Sequence, residues 1–332
     1  MILAFTDEQN RTLINLEQQY QVWMEAERAL AAMPYDLRRK KVGAKSYLYE
    51  IRDRGGNGRS LGPWSDAQAS RLASYRAAKD AAKARRAAAR DALAETARIC
   101  RALRVPMLAN EAGEIVREAD RRRLLGDHLL VVGTNALAAY AIEAGGFLQD
   151  APLETQDFDL AWSSREAPAD QQLVWDMLKA VDPTYTVNLE RTFQARNAKA
   201  YEVGLLVAPS RAATLPRRDK PRPIPLPEQE WLLNGKPVDH VTICRDGSPA
   251  RIVAPDPRWF ALQKLWMSRQ PKRNPLKRRK DERQGVAILN AVASAMPQYR
   301  LDPDFEAELP AELTGVYADW STQRPEPAPK RW

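Results

Sequence analysis

Apolar residues recur at helical spacing near the start of the chain. Leu13, Leu16, Tyr20, Trp23 and Leu30 follow Thr6-Asp7-Glu8-Gln9. That quartet has the form of a capping box, in which a hydroxyl and an amide side chain satisfy each other's backbone N–H groups. The pattern predicts a helix to about Met33, ended by Pro34. Tyr47, Tyr49 and Ile51 then alternate with other residues, as in a strand, and Gly55-Gly56-Asn57-Gly58 suits a hairpin turn. Ser65-Asp66-Ala67-Gln68 is a second capping box. It opens a long Ala/Arg/Lys helix to about Arg104, strong in helix propensity but poor in apolar area.

The pattern changes at His128. Leu129–Val132 reads as a buried strand and Thr134–Ala144 as a helix closed by Gly145-Gly146. Phe158, Leu160 and Trp162 alternate with Asp157, Asp159 and Ala161, which predicts a strand with two carboxylates on one face. A helix over Pro168–Val181 and strands near 185–189, 192–196 and 200–207 follow. Six prolines between Pro209 and Pro227 mark a loop. Short strands near 241–244 and 251–253 precede helices near 257–270 and 278–296, and the tail beyond Trp320 reads as mobile. The expected class is α+β. Residues 1–104 form a helical and hairpin extension, 105–255 a core with a mixed sheet, 256–320 a helical part and 321–332 a tail.

Composition narrows the chemistry. Two histidines, His128 and His240, and two cysteines, Cys100 and Cys244, exclude a disulfide scaffold and do not fall at zinc-finger or ribbon spacing. So few thiols suit a reducing, cytoplasmic setting. The longest apolar stretch, 129–148, is interrupted by Gly133-Thr134-Asn135, Glu143 and Gly145-Gly146, so no membrane span is expected. Chemistry must then rest on carboxylates, basic residues, hydroxyls and an oxygen-bound metal.

The unit that fits is strand, Gly133-Thr134, helix, then Asp157-Phe158-Asp159. Gly133 lets backbone approach phosphate oxygens, Thr134 and Asn135 offer polar contacts, and a helix start favours anions. Two adjacent carboxylates repel unless a cation lies between them, and Mg²⁺ (or Mn²⁺) fills that role with phosphate oxygens as further ligands.

These residues resemble the polymerase-β-like nucleotidyltransferase superfamily: an apolar strand ending in Gly-Gly or Gly-Ser, a helix, then Asp-x-Asp on the next strand. Val132-Gly133-Thr134 and Thr155-x-Asp157-x-Asp159 match. More narrowly, Val132–Ala136, the Thr-x-Asp-x-Asp run, Pro257–Leu265 and Leu61-Gly62-Pro63 are similar to a bacterial family of nucleotidyltransferase-fold proteins with an N-terminal helical extension. The resemblance spans roughly residues 45–295 and implies a palm-like core. It also implies a metal-dependent enzyme that moves a nucleoside monophosphate from an NTP to a hydroxyl. Asp157 and Asp159 would hold the metal. Gly133, Thr134 and Asn135 would cradle the triphosphate. Lys264, Arg269 and Lys280 would neutralise it, as in relatives where a Lys-Leu helix precedes an Arg and a Lys-Asp pair.

One position departs from the pattern. In Tyr201-Glu202-Val203-Gly204-Leu205-Leu206, Gly204 stands where the superfamily carries its third carboxylate. Glu202 lies two residues earlier on the same face and is the expected surrogate, the third member of a catalytic set with Asp157 and Asp159. Without such a surrogate, the alternative is a degenerate fold that binds nucleotide or RNA without catalysis. The toxin branch of the superfamily suggests a tRNA-modifying enzyme instead. The net charge of +8 concentrates in residues 71–104 (+7) and 269–283 (+6). If the two blocks face one cleft, RNA or tRNA is the expected acceptor.

Overall fold

The computed structural model describes residues 2–152, 157–166 and 173–323. Gln18–Thr96 forms one unit and Met1–Glu17 with Ala97–Trp332 the other. The core expected at 105–255 and the helices after 256 belong to the same unit.

Strand β1 (Ile2–Ala4) is followed by helix α1 (Asp7–Ala31). Its capping box forms as the sequence predicts: the Thr6 N–H donates to Gln9 Oε1 at 2.8 Å and the Gln9 N–H to Thr6 Oγ1 at 3.2 Å. Next come β2 (Asp36–Val42), β3 (Lys45–Ile51), β4 (Gly58–Pro63) and α2 (Asp66–Ala102). The expected hairpin is therefore a three-stranded antiparallel sheet in the order β2-β3-β4. β2 escapes a sequence reading because Arg38-Arg39-Lys40-Lys41 hides any alternation; only Leu37 on it is buried. Leu37 and Leu48 pack from one face of this sheet onto Leu72 of α2, with Trp64 and Tyr75 beside them. The second capping box forms only by half. The Gln68 N–H donates to Ser65 Oγ at 3.3 Å, while the Gln68 amide turns to the Leu61 carbonyl at 2.8 Å.

The larger unit continues with β5 (Met107–Leu108), α3 (Asn110–Arg121), β6 (Leu129–Val132), a 3-10 turn at Gly133–Ala136, α4 (Leu137–Glu143), β7 (Gly146–Leu148) and β8 (Asp157–Trp162). α5 (Val174–Val181), β9 (Thr186–Val187), β10 (Gln194–Arg196), β11 (Glu202–Val207), β12 (Val238–Cys244) and β13 (Pro249–Ala254) follow. The chain then runs through α6 (Pro257–Ser268), α7 (Pro275–Ala295), α8 (Pro303–Ala307) and α9 (Ala311–Gln323). The main sheet has the order β6-β8-β11-β10-β9. β8 and β11 run parallel and the other neighbours antiparallel, so the sheet is mixed and the architecture α+β. A second sheet, β13-β12-β5, and a small β1-β7 pair complete it.

Three expectations shift. α3 was not anticipated, although Ala112, Ile115, Val116 and Ala119 follow the 3.6-residue period and are buried. The start expected for α5 at Pro168 and the residues after Gln323 lie outside the described residues, whereas residues 321–323 of the expected tail are helical. Gly145 ends α4 at φ +61, as expected, but Gly146 already begins β7. No helix among the described residues is long and apolar enough to cross a membrane.

α6 is set by one carboxylate. Asp256 is fully buried, accepts the N–H groups of Arg258 at 2.9 Å and Lys236 at 3.0 Å, and holds the Arg258 guanidinium at 2.8 Å. Removing one partner of a buried pair strands the other. Asp256→Ala is therefore expected to cost about 3 kcal/mol in a urea melt, with Asp256→Asn, which can still cap, losing less.

Candidate functional site

β6 is buried along its whole length and ends at Val132, in extended backbone. Gly133 turns into the left-handed region at φ +70 and starts the 3-10 turn. A Cβ at Gly133 would lie 3.0 Å from Asp159 Oδ2. The residue is glycine on both counts, the positive φ and the close approach. β8 pairs with β6 and with β11, and alternation buries Phe158 and Leu160 while Asp157 and Asp159 share the opposite face.

Asp159 is hemmed in from the other side as well. Its parallel neighbour on β11 is Gly204, where a Cβ would come within 2.5 Å of Asp159 Oδ1. Gly204 thus makes room for the Asp159 carboxylate.

Gly133, Thr134, Asp157, Asp159, Lys264 and Lys280 line one cavity of about 330 Å³, together with Arg191, Arg273 and Lys277. A buried charge network sits behind it. Lys264 Nζ meets Asp281 at 2.9 Å, and Arg273 reaches the same carboxylate at 2.8 Å, with Lys264 and Asp281 both almost wholly buried. The charge of Lys264 is thus met within the protein by Asp281. Lys277 lies 3.5 Å from Asp157. Burial and the neighbouring Lys264 and Lys277 ammonium groups lower the pKa of Lys280, against the pull of Asp157 and Asp281. Burial first, and the charge of Asp157 second, push the Asp159 carboxyl up to about 6, although Lys264, Lys277 and Arg273 favour its ionised form.

Three expected residues take other places. Asn135 donates to the Asp157 carbonyl at 3.2 Å, so it tethers the start of β8 to the turn and does not line the cavity. Glu202 shares the sheet face and register of Asp157, but its carboxylate is held by Arg196, with Nε at 2.9 Å, and it does not line the cavity. Arg269 pairs with Asp319 at 2.8 Å and lines a separate cavity with Trp320.

Conversely, Arg273, Lys277 and Gln284 were not singled out. The fully buried Gln284 donates to Thr134 Oγ1 at 3.2 Å and to the Pro152 carbonyl at 2.7 Å, fastening α7 to the turn. The signal was present: Lys277, Lys280, Asp281 and Gln284 stand at i, i+3, i+4 and i+7, one face of a helix that Pro275 opens.

The donor set fits a hard divalent cation. Two carboxylates, Asp157 and Asp159, share one strand face, and no group of three or more His, Cys, Asp or Glu side chains converges among the described residues. Mg²⁺ commonly takes one or two carboxylates and completes its shell with water and phosphate oxygens.

The Asp159 shift has a consequence for stability. The folded carboxyl binds its proton more tightly than the unfolded one, so this group's contribution is most favourable below about pH 4 and declines as pH rises towards 6. In EDTA, Asp159→Asn is expected to raise the melting temperature relative to the native chain at pH 7.5 and to lose that advantage at pH 4. A melting-temperature difference that does not change with pH would contradict the assignment.

A nucleotidyltransferase family model matches residues 110–309, more than half of the chain. No curated protein and no solved structure matches it.

Proposed function

The chain belongs to the nucleotidyltransferase family, and on that premise we propose that it is a metal-dependent enzyme transferring a nucleoside monophosphate from an NTP to a hydroxyl acceptor. The observation that carries this reading is the convergence of Asp157 and Asp159 with the left-handed Gly133 turn in one cavity rimmed by Lys264, Arg273, Lys277 and Lys280.

Asp157 and Asp159 would hold Mg²⁺ or Mn²⁺, which when bound offsets charge on the phosphate oxygens and on the departing pyrophosphate. The basic residues would oppose the triphosphate's charge at its far end. Asp281 keeps Lys264 and Arg273 extended into place, so little ordering remains to be done when the nucleotide arrives. In the reaction, the acceptor oxygen forms a bond to the α-phosphorus and the bond to the bridging oxygen of pyrophosphate breaks. The hydroxyl proton leaves to solvent.

A second reading has its own observation. Gly204 leaves no third carboxylate at the metal position, and Glu202 is engaged by Arg196. A chain that binds nucleotide without transferring it would look the same here. Incubation with α-labelled NTPs, Mg²⁺ and hydroxyl acceptors (RNA, tRNA, protein) separates the two. Label transfer abolished by Asp157→Asn supports the enzyme. NTP binding that is indifferent to Mg²⁺ and to Asp159→Ala, without transfer, supports the binder.

Gly204 offers a further check. Gly204→Ala puts a methyl against Asp159 Oδ1. It is expected to reduce transfer at least tenfold while leaving the melting temperature within a few degrees, since the intrusion falls on a cavity-facing carboxylate. Full activity in this variant would show that Asp159 need not hold its position.

A further inference from the structure

Residues 18–96 contain sixteen Lys+Arg and nine Asp+Glu, a net +7 of the chain's +8. The charge is organised around the β2-β3-β4 sheet. One face of that sheet is closed by Leu37 and Leu48 against Leu72 of α2. Strand alternation puts Tyr47 and Tyr49 on the opposite face, with Leu48 pointing away between them.

The β2–β3 register is unbroken, so Lys40 stands directly beside Tyr47 and Arg38 directly beside Tyr49. Lys40 Nζ lies over the Tyr49 ring, 5.1 Å from its centre. Arg38 is exposed and pairs with Asp36 at 2.5 Å, while Lys40, Tyr47 and Tyr49 are half-buried. Neither phenol hydroxyl makes a hydrogen bond among the described residues. Ile51, next on this face, is fully buried, so the platform ends there. Arg38 also borders a cleft of about 290 Å³ against α2, where Arg76, Lys79 and Lys83 stand among Asp36 and Asp80.

We infer that this sheet face is a docking surface for single-stranded RNA. Alternating aromatic rings with cations beside them suit a chain of stacked bases joined by phosphates. Spacing selects the single strand. Residues two apart on a strand lie about 6.6 Å apart, roughly twice the 3.4 Å base rise of a duplex strand. Neighbouring bases must unstack to occupy both rings. The unpartnered phenol hydroxyls match the donor and acceptor character of a ribose 2′-OH, which DNA lacks. The inference stands apart from nucleotidyl transfer, because Tyr47, Tyr49, Arg38 and Lys40 lie outside the residues lining the carboxylate cavity.

The test is fluorescence anisotropy with the full chain and a 5′-labelled 12-nucleotide oligouridine RNA between 50 and 300 mM KCl. Tyr47→Leu and Tyr49→Leu keep an apolar strand residue and remove the stacking ring. Each is expected to weaken binding about tenfold, with an unchanged melting temperature and unchanged NTP binding. Lys40→Gln is expected to lower the slope of log affinity against log salt by about 0.7. The same sequence as DNA, or as an RNA duplex, is expected to bind more weakly. Affinity unmoved by either tyrosine substitution, equal binding of duplex or DNA, or no binding of RNA would each overturn the proposal. So would phosphatidylserine vesicles that bind the native chain and lose that binding in the same variants. Loss of NTP binding or label transfer with RNA binding intact would instead count against the carboxylate site alone.

Discussion

The site is organised by the crowding of one carboxylate. Asp159 stands on β8 between two glycine backbones, where a Cβ would come within 2.5 Å of its carboxylate on one side and 3.0 Å on the other. On one strand neighbour the chain turns at Gly133 with positive φ, and on the other Gly204 lies level with it. The consequence is electrostatic. Burial and the adjacent Asp157 disfavour its ionised form, and the surrounding cations only partly offset this. A carboxylate kept under such pressure gains from a cation more than an exposed one would, because removing charge repulsion matters most where water is scarce.

The rest of the larger unit holds that arrangement in place. The Asn135 amide ties the turn to the start of β8, and Gln284 ties the same turn to α7. α7 in turn presents Lys277, Lys280 and Asp281 to the cavity, while α6 supplies Lys264 against Asp281. Lys264 and Arg273 are therefore fixed by Asp281, while Lys277 reaches Asp157 itself. The Lys264–Asp281–Arg273 cluster is a buried network whose removal in part would strand a charge. Under the proposed function its charges would already be in place before a phosphate ligand arrived.

Charge is distributed between the two units in different ways. In the larger unit positive and negative groups nearly balance, and Arg258, Lys264 and Lys277 of α6 and α7 pair with Asp256, Asp281 and Asp157. In Gln18–Thr96 the excess is concentrated around a small sheet whose inner face has only a few apolar residues. A unit with so modest a core presents its outer face largely through side-chain character: tyrosines, arginine and lysine in strict cross-strand register.

Much of this was readable along the chain. The first capping box, the β6 strand, Gly133, the Asp157/Asp159 alternation and the family resemblance all rest on short-range periodicity or on residues a few positions apart. Local stereochemistry dictates such features wherever the segment ends up. Helix α3 carries the same kind of local signal in Ala112, Ile115, Val116 and Ala119. What the sequence by itself could not determine is which distant groups share a space. Arg269 and Lys280 belong to one basic block, yet one turns to Asp319 and the other to the cavity, because the first caps the end of α6 and the second lies on α7 beyond a break in the helix. Glu202 and Gly204 share a strand face, yet only the tertiary register shows that Arg196 claims the first and that the second must stay empty for Asp159. Those outcomes depend on cross-strand neighbours and helix packing, interactions between residues far apart in the chain, and only the fold decides them.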